Sequence, residues 1–167
     1  MLIYKKMKIR TGFGYDVHRL EDGLEFWLGG IKIEHSKGAL GHSDADCLIH
    51  AVCDALLGAA NKRDIGYWFP DNDQKFKGID SKILLKEVCK IIRQAGYEIS
   101  NIDCTICLQK PKIKDYIPKM CEVLSNVMTT DIDNVSIKAT TEEKLGFTGR
   151  EEGIACYATC LIYSDLK

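Results

Sequence analysis

The sequence predicts an α+β sandwich, a single domain in which one mixed β-sheet is covered by α-helices on one face. Three observations carry this expectation. Strand-like segments alternate with three amphipathic helical segments, an early strand pair is joined by the hairpin signal Gly29-Gly30, and no repeat or linker-like stretch divides the 167 residues. If the uncovered sheet face is apolar it needs a partner, so oligomerisation through it is expected.

Residues 8–15 read as a strand ending in a glycine-containing turn. Residues 25–28 and 31–33 form the hairpin pair, and residues 38–41 read as a loop. Ser43-x-x-Asp46 resembles a capping box and predicts that Ser43 opens the first helix, with Cys47, Leu48, Ala51, Val52, Ala55 and Leu56 on its buried face. Residues 61–77 read as a loop. A second helix is expected over residues 80–95 with Gly96 as its stop, then a strand over 98–109, a helix over 113–128, and strands over 135–140 and 154–163.

Composition excludes several classes of function. A formal net charge of -1 gives no footprint for nucleic acid or an anionic membrane, so any phosphate must be held by a local site. No apolar run approaches the roughly 18–20 residues of a membrane span, and the start lacks the apolar stretch of a secretory signal. The expected location is cytoplasmic, with residues 1–7 an N-terminal extension. The eight cysteines then read as reduced, apolar residues. Cys104-x-x-Cys107 falls in a predicted strand, whose alternation sends the two thiols to opposite faces, so a core role is favoured over redox or metal chemistry.

Asp16-Val17-His18 places a carboxylate and an imidazole on one face of a strand. His50 interrupts the apolar stripe of the first helix. Two imidazoles and a carboxylate with one position open make a catalytic zinc arrangement, though Mn²⁺, Fe²⁺ or Co²⁺ suits the same donors. Spacing alone links the three weakly, because a lone helix histidine is more often a satisfied polar residue. Asp46, His50 and Asp54 stand at i, i+4 and i+8, which fits either a site wall or a solvated face. A carboxylate one turn from a ligating histidine can orient it or take a substrate hydroxyl, while Asp44 and Asp46 also suit the positive end of the helix dipole.

Gly41-His42-Ser43 leads toward a helix N-terminus, which favours an anion, although Ser43 also serves as an ordinary cap. Lys138-Ala139-Thr140-Thr141-Glu142-Glu143-Lys144 collects hydroxyls, acids and cations at a strand end, the parts phosphoryl transfer uses. A solvated strand end gives the same pattern. Gly146-Phe147-Thr148-Gly149-Arg150 is a glycine-bounded turn presenting an aromatic ring and an arginine. Gln109-Lys110-Pro111-Lys112 closes another strand, its lysines directed to a phosphate or to solvent.

Taken in order, these segments resemble the 2-C-methyl-D-erythritol 2,4-cyclodiphosphate synthases of the non-mevalonate isoprenoid pathway. The resemblance runs from about Lys8 to Ile162 and rests on seven motifs. They are Gly14-Tyr15-Asp16-Val17-His18-Arg19, Gly41-His42-Ser43-Asp44-Ala45-Asp46, the run from His50 to Ala60, Asp64-Ile65-Gly66, Phe69-Pro70-Asp71, Lys138-Ala139-Thr140-Thr141, and the run from Glu143 to Arg150.

The resemblance implies a substrate, 4-diphosphocytidyl-2-C-methyl-D-erythritol 2-phosphate, whose 2-phosphate attacks its own β-phosphorus and expels CMP. It implies zinc on Asp16, His18 and His50, a magnesium or manganese ion on Glu143, and His42 and Thr141 as catalytic groups. Substrate contacts are implied for Asp16, His18, His42, Ser43, Asp54, Asp64, Ile65, Gly66, Phe69, Pro70, Asp71, Asn72 and Asp73. Further contacts are implied for Leu108, Gln109, Lys110, Pro111, Lys112, Thr140, Thr141, Glu142 and Glu143.

The resemblance also implies a homotrimer with sites between neighbouring subunits, and a central cavity bordered by Phe147 and Arg150. Two departures stand near the nucleotide end: Glu142 replaces a threonine and Lys110 a small residue. A metal-dependent phosphohydrolase and a non-catalytic sensor of phosphorylated metabolites are the competing readings.

Overall fold

The computed structural model describes residues 7–165, so the expected N-terminal extension lies outside the described residues except for Met7, which begins the first strand. That strand, β1 (Met7–Asp22), is twice the expected length and carries Asp16 and His18 in its interior rather than at its end. Its alternation is regular. Ile9, Phe13, Tyr15 and Val17 face outward, while Gly12, Gly14, Asp16, His18 and Leu20 face inward.

The hairpin forms as the sequence predicts, between β2 (Phe26–Leu28) and β3 (Ile31–Ile33), with both linking glycines at positive φ. The predicted loop at 38–41 is instead mostly a short edge strand, β4 (Lys37–Leu40), paired antiparallel with the end of β1. Its four residues are too few to show an alternation, which is why the sequence read as a loop.

The first helix, α1 (Cys47–Ala59), starts four residues after Ser43. Asp46 is its N-cap, and its side chain accepts the Ile49 N–H. A single turn, α2 (Ile65–Trp68), breaks the predicted 61–77 loop, followed by α3 (Ser81–Gln94) and β5 (Glu98–Cys107). The fourth helix, α4 (Ile117–Met128), begins later than expected because Pro118 has no N–H to give and fits only a helix's first turn. The chain closes with β6 (Val135–Thr140), the one-turn α5 (Gly146–Gly149) and β7 (Gly153–Asp165).

The sheet order is β4-β1-β7-β5-β6, antiparallel except for β5 and β6, which run parallel and are joined through α4. Helices α1, α3 and α4 cover one face, as predicted, and the core lies between them and the sheet. Cys104 belongs to that core and Cys107 does not, in line with their expected opposite faces. The other face exposes Phe13, Tyr15 and Val17, with the Tyr15 ring 5.0 Å from that of Tyr157. Among the described residues no helix is long and apolar enough to cross a membrane.

The close approach of β1 and α1 places the site. A Cβ on Gly12 would stand 1.9 Å from the Ala55 carbonyl oxygen, and one on Gly14 1.9 Å from that of Ala51. Small residues on both elements, Gly12 and Gly14 against Ala51, Ala55 and Ala59, let helix and strand backbones nearly touch. His50, one residue before Ala51, is thereby brought beside Asp16 and His18.

Candidate metal centre and the cleft around it

Asp16 Oδ2 stands 3.0 Å from His18 Nε2 and 3.1 Å from His50 Nδ1, and those two nitrogens are 3.3 Å apart. Three good donors therefore form one small triangle. A tetrahedral ion with ligands at about 2.0–2.1 Å would space them about 3.3 Å apart, so the triangle has the size of one face of a zinc tetrahedron. Among the described residues no other group of three His, Cys, Asp or Glu side chains converges in this way.

Neighbouring contacts fix the donors. His18 Nδ1 lies 3.0 Å from the Leu40 carbonyl oxygen, so that nitrogen donates there, and Nε2, which faces Asp16, is the nitrogen that would offer its electron pair to a bound ion. His50 Nε2 lies 3.0 Å from Ser81 Oγ and 3.1 Å from Ser43 Oγ. Burial alone would raise the Asp16 carboxyl, yet its bonds to His18 and His50 prevail and lower it to about 2. Burial works to lower His50 in turn, and Asp16 overrides it and raises the imidazole. A carboxylate held ionised between two imidazoles is a site prepared for a cation.

The triangle opens into a cleft of about 370 Å³. Of the residues predicted to touch substrate, Asp16, His18, His42, Ser43, Ile65, Gly66, Phe69 and Asp71 line it. Phe76, Ile79 and Leu84 line it as well, and the sequence reading missed them: apolar side chains carry no chemical signature. His42 Nε2 is buried with no hydrogen-bond partner among the described residues, a donor or acceptor held ready at the cleft.

Three further predicted residues do not line the cleft and instead cap or tether the segments that carry its lining. Asp54 accepts the Ile65 N–H at 2.7 Å, Asp64 caps α2 through the Tyr67 N–H, and Asp73 caps the turn at Gln74–Phe76. Pro70 and Asn72 do not line the cleft.

Two expectations are corrected. Ser43 does not open α1; its hydroxyl accepts the Ala45 N–H instead. Nor is the helix N-terminus free for a phosphate, because the fully buried Asp46 carboxylate fills it and also accepts the N–H groups of Gly29 and Gly30, at 2.9 and 2.6 Å. Asp46 thus ties the hairpin to α1 and forms no wall of the cleft.

The remaining predicted residues gather elsewhere. The Leu108 N–H donates to the Thr140 carbonyl oxygen at 3.0 Å, drawing together the ends of β5 and β6, and the Thr141 hydroxyl donates to Glu143 at 3.0 Å. None of Leu108 to Lys112 or Thr140 to Glu143 lines the cleft. Gln109 Oε1 is buried there without a hydrogen-bond partner among the described residues. Glu142 turns away to accept the Thr148 hydroxyl, and Lys110 pairs with Glu151 at 3.0 Å, so both departures are tied to their own chain. Arg150 pairs with Glu152 beside the exposed Phe147.

Comparison with known proteins agrees with this geometry. The YgbB family model matches residues 9–163. The chain is 66% identical over 156 residues to the 2-C-methyl-D-erythritol 2,4-cyclodiphosphate synthase of Bacteroides fragilis, covering 93% of this chain and 98% of the relative. Among solved structures it is similar to the CDP complex of IspF from Plasmodium falciparum, with 34% identity, a TM-score of 0.82, and coverage of 95% of this chain and 97% of the other. It is also similar to the bifunctional IspDF of Campylobacter jejuni, with 40% identity and a TM-score of 0.92; 95% of this chain matches, spanning 43% of that longer protein. The chain belongs to the YgbB family, the 2-C-methyl-D-erythritol 2,4-cyclodiphosphate synthases.

Proposed function

We propose that this chain converts 4-diphosphocytidyl-2-C-methyl-D-erythritol 2-phosphate to 2-C-methyl-D-erythritol 2,4-cyclodiphosphate and CMP, in non-mevalonate isoprenoid biosynthesis in the cytoplasm. The observation that carries the proposal is the three-donor triangle of Asp16, His18 and His50 at the head of the cleft, in a chain of this family. A 2-phosphate oxygen bonds to the β-phosphorus while the bond from that phosphorus to the α-bridging oxygen breaks, and the electron pair leaves with CMP.

The triangle would hold one divalent ion, with zinc the best match to the donor set and spacing. Bound there, the ion supplies Lewis acidity toward a phosphoryl oxygen. Glu143 would hold a magnesium or manganese ion, which would supply positive charge to offset that of the diphosphate. His42, with its buried unpartnered nitrogen, donates to phosphoryl oxygens as charge develops on them, and Thr141 does so from the other cluster. Asp64 and Gly66 take the methylerythritol portion, and Leu108 to Lys112 with Thr140 to Glu143 take the cytidine and its phosphates.

Two half-sites that do not meet within one chain are accounted for by a homotrimer, in which the cleft of one subunit faces the β5–β6 end of its neighbour. The exposed Phe13, Tyr15 and Val17 face supports this by offering an apolar surface to bury. Phe147 and Arg150 would then border the central cavity.

The test is incubation with the substrate, zinc and magnesium, followed by phosphorus NMR. CMP with a cyclic diphosphate is expected. CMP with a linear diphosphate makes the protein a hydrolase, and binding without CMP release makes it a sensor.

A further inference from the structure

We infer that Asp44 and Ser81 form a hydrogen-bond relay that aims His50 at the metal, positioning residues whose role rests on the metal-site reading above. The argument is one of proton accounting. If His50 Nδ1 offers its lone pair to an ion, the neutral ring's single proton sits on Nε2, and that N–H needs an acceptor. Ser81 Oγ at 3.0 Å and Ser43 Oγ at 3.1 Å are the two oxygens facing it.

Only one of them imposes a direction. The Ser81 hydroxyl gives its proton to Asp44 Oδ1, and the Ser81 backbone N–H donates to Asp44 Oδ2 at 2.9 Å. A carboxylate only accepts, so the Ser81 proton is committed and its oxygen turns lone pairs toward Nε2. The opposite tautomer would set two lone pairs against each other at 3.0 Å. Ser43 is indifferent: its oxygen accepts the Ala45 N–H at 3.2 Å, and its proton is free to point either way.

The relay is sealed and anchored. Ser81 is fully buried, so its hydroxyl makes these bonds out of contact with bulk solvent. Asp44 is held by the Asp46 N–H on Oδ1 at 3.2 Å and by its own N–H to the Ile79 carbonyl oxygen at 3.1 Å. The relay thereby fastens the first residue of α3 to the loop before α1, and the orientation of His50 depends on both. Loss of such an outer partner typically weakens metal binding about 10- to 100-fold.

Zinc affinity, measured by competition with a chromophoric chelator, tests the inference. Ser81→Ala is expected to bind zinc about 10- to 100-fold more weakly than wild type. Asp44→Asn is expected to weaken binding too, because its amide can donate to Ser81 and release the serine proton toward Nε2. The double variant should bind no more weakly than Ser81→Ala, since Asp44 acts through Ser81. In zinc-loaded, ¹⁵N-labelled wild type, the His50 Nε2–H should appear as a slowly exchanging resonance, and it should exchange faster in Ser81→Ala. A purely structural role would lower thermal stability and leave both readouts unmoved.

Folded variants that bind zinc like wild type overturn the relay alone. Absence of a protected Nε2–H in the loaded wild type also overturns it, even if both variants fail to fold. A wild type that binds neither zinc, cobalt nor manganese overturns the metal-site reading, and the relay with it.

Discussion

Replacing Gly14 with alanine should damage the metal centre without touching a ligand. The added Cβ would stand 1.9 Å from the Ala51 carbonyl oxygen, 2.7 Å from the Ala55 nitrogen and 3.0 Å from the Ala51 carbonyl carbon. All three are backbone atoms, so no flexible side chain can swing away. Restoring an ordinary contact of about 3.3 Å requires α1 to retreat from β1 by roughly 1.4 Å. His50 moves with the helix, and its 3.1 Å and 3.3 Å separations from Asp16 and His18 widen beyond what a zinc ion spans.

Overpacking of this kind costs about 1–3 kcal/mol, and rigid backbone on both sides places Gly14→Ala at the upper end. Urea unfolding of the metal-free protein and chelator competition for zinc measure the two effects. Gly58→Ala in the same helix is the control, because nothing lies within 4 Å of its Cβ and the site is exposed. It should gain about 0.5–1 kcal/mol and keep its zinc. A Gly14→Ala protein with wild-type midpoint and zinc affinity would refute the packing argument.

Asp46→Ala strips the acceptor from three buried N–H groups and should cost about 3 kcal/mol or more in urea unfolding, with faster exchange at the Gly29 and Gly30 amides. A loss under about 1 kcal/mol contradicts it. Lys138 beside Asp103 holds that carboxyl below its usual range, so the pair's contribution is present above the unfolded pKa of about 3.9 and is lost as pH falls through the lower folded value.

Both side chains are more than a third exposed, which keeps that contribution below about 1 kcal/mol. Lys138→Ala should move the Asp103 NMR titration upward, and an unmoved midpoint removes the pairing. Burial pushes Cys104 and Cys160 up to about 12, so both remain thiols near neutral pH. Alkylation of the native protein should mark the half-buried Cys121 first, and a Cys104–Cys107 disulfide formed under mild oxidant would contradict the core assignment.

Much of this was legible in the sequence because local rules govern it. The Gly29-Gly30 turn, the apolar stripe of α1 and the one-face spacing of Asp16 and His18 depend on residues close in the chain. The nearness of Asp46 to Ser43 suggests a capping box, while its decisive partners, Gly29 and Gly30, lie on a hairpin 17 and 16 residues away. Ser81 has no local signal, because its link to His50 spans 31 positions and a serine carries no signature of its own. Gly12 and Gly14 fall in a segment that reads as a strand ending in a glycine-containing turn, whereas their missing Cβ atoms let α1 close on β1.

The metal content of purified protein after exhaustive dialysis, determined for wild type and His50→Ala by elemental analysis, tests the central claim most directly. One zinc or equivalent divalent ion per wild-type chain, lost in a His50→Ala protein that retains its fold by circular dichroism, is the predicted result. Stoichiometric metal retained by folded His50→Ala would contradict the assignment of Asp16, His18 and His50 as the metal's ligands.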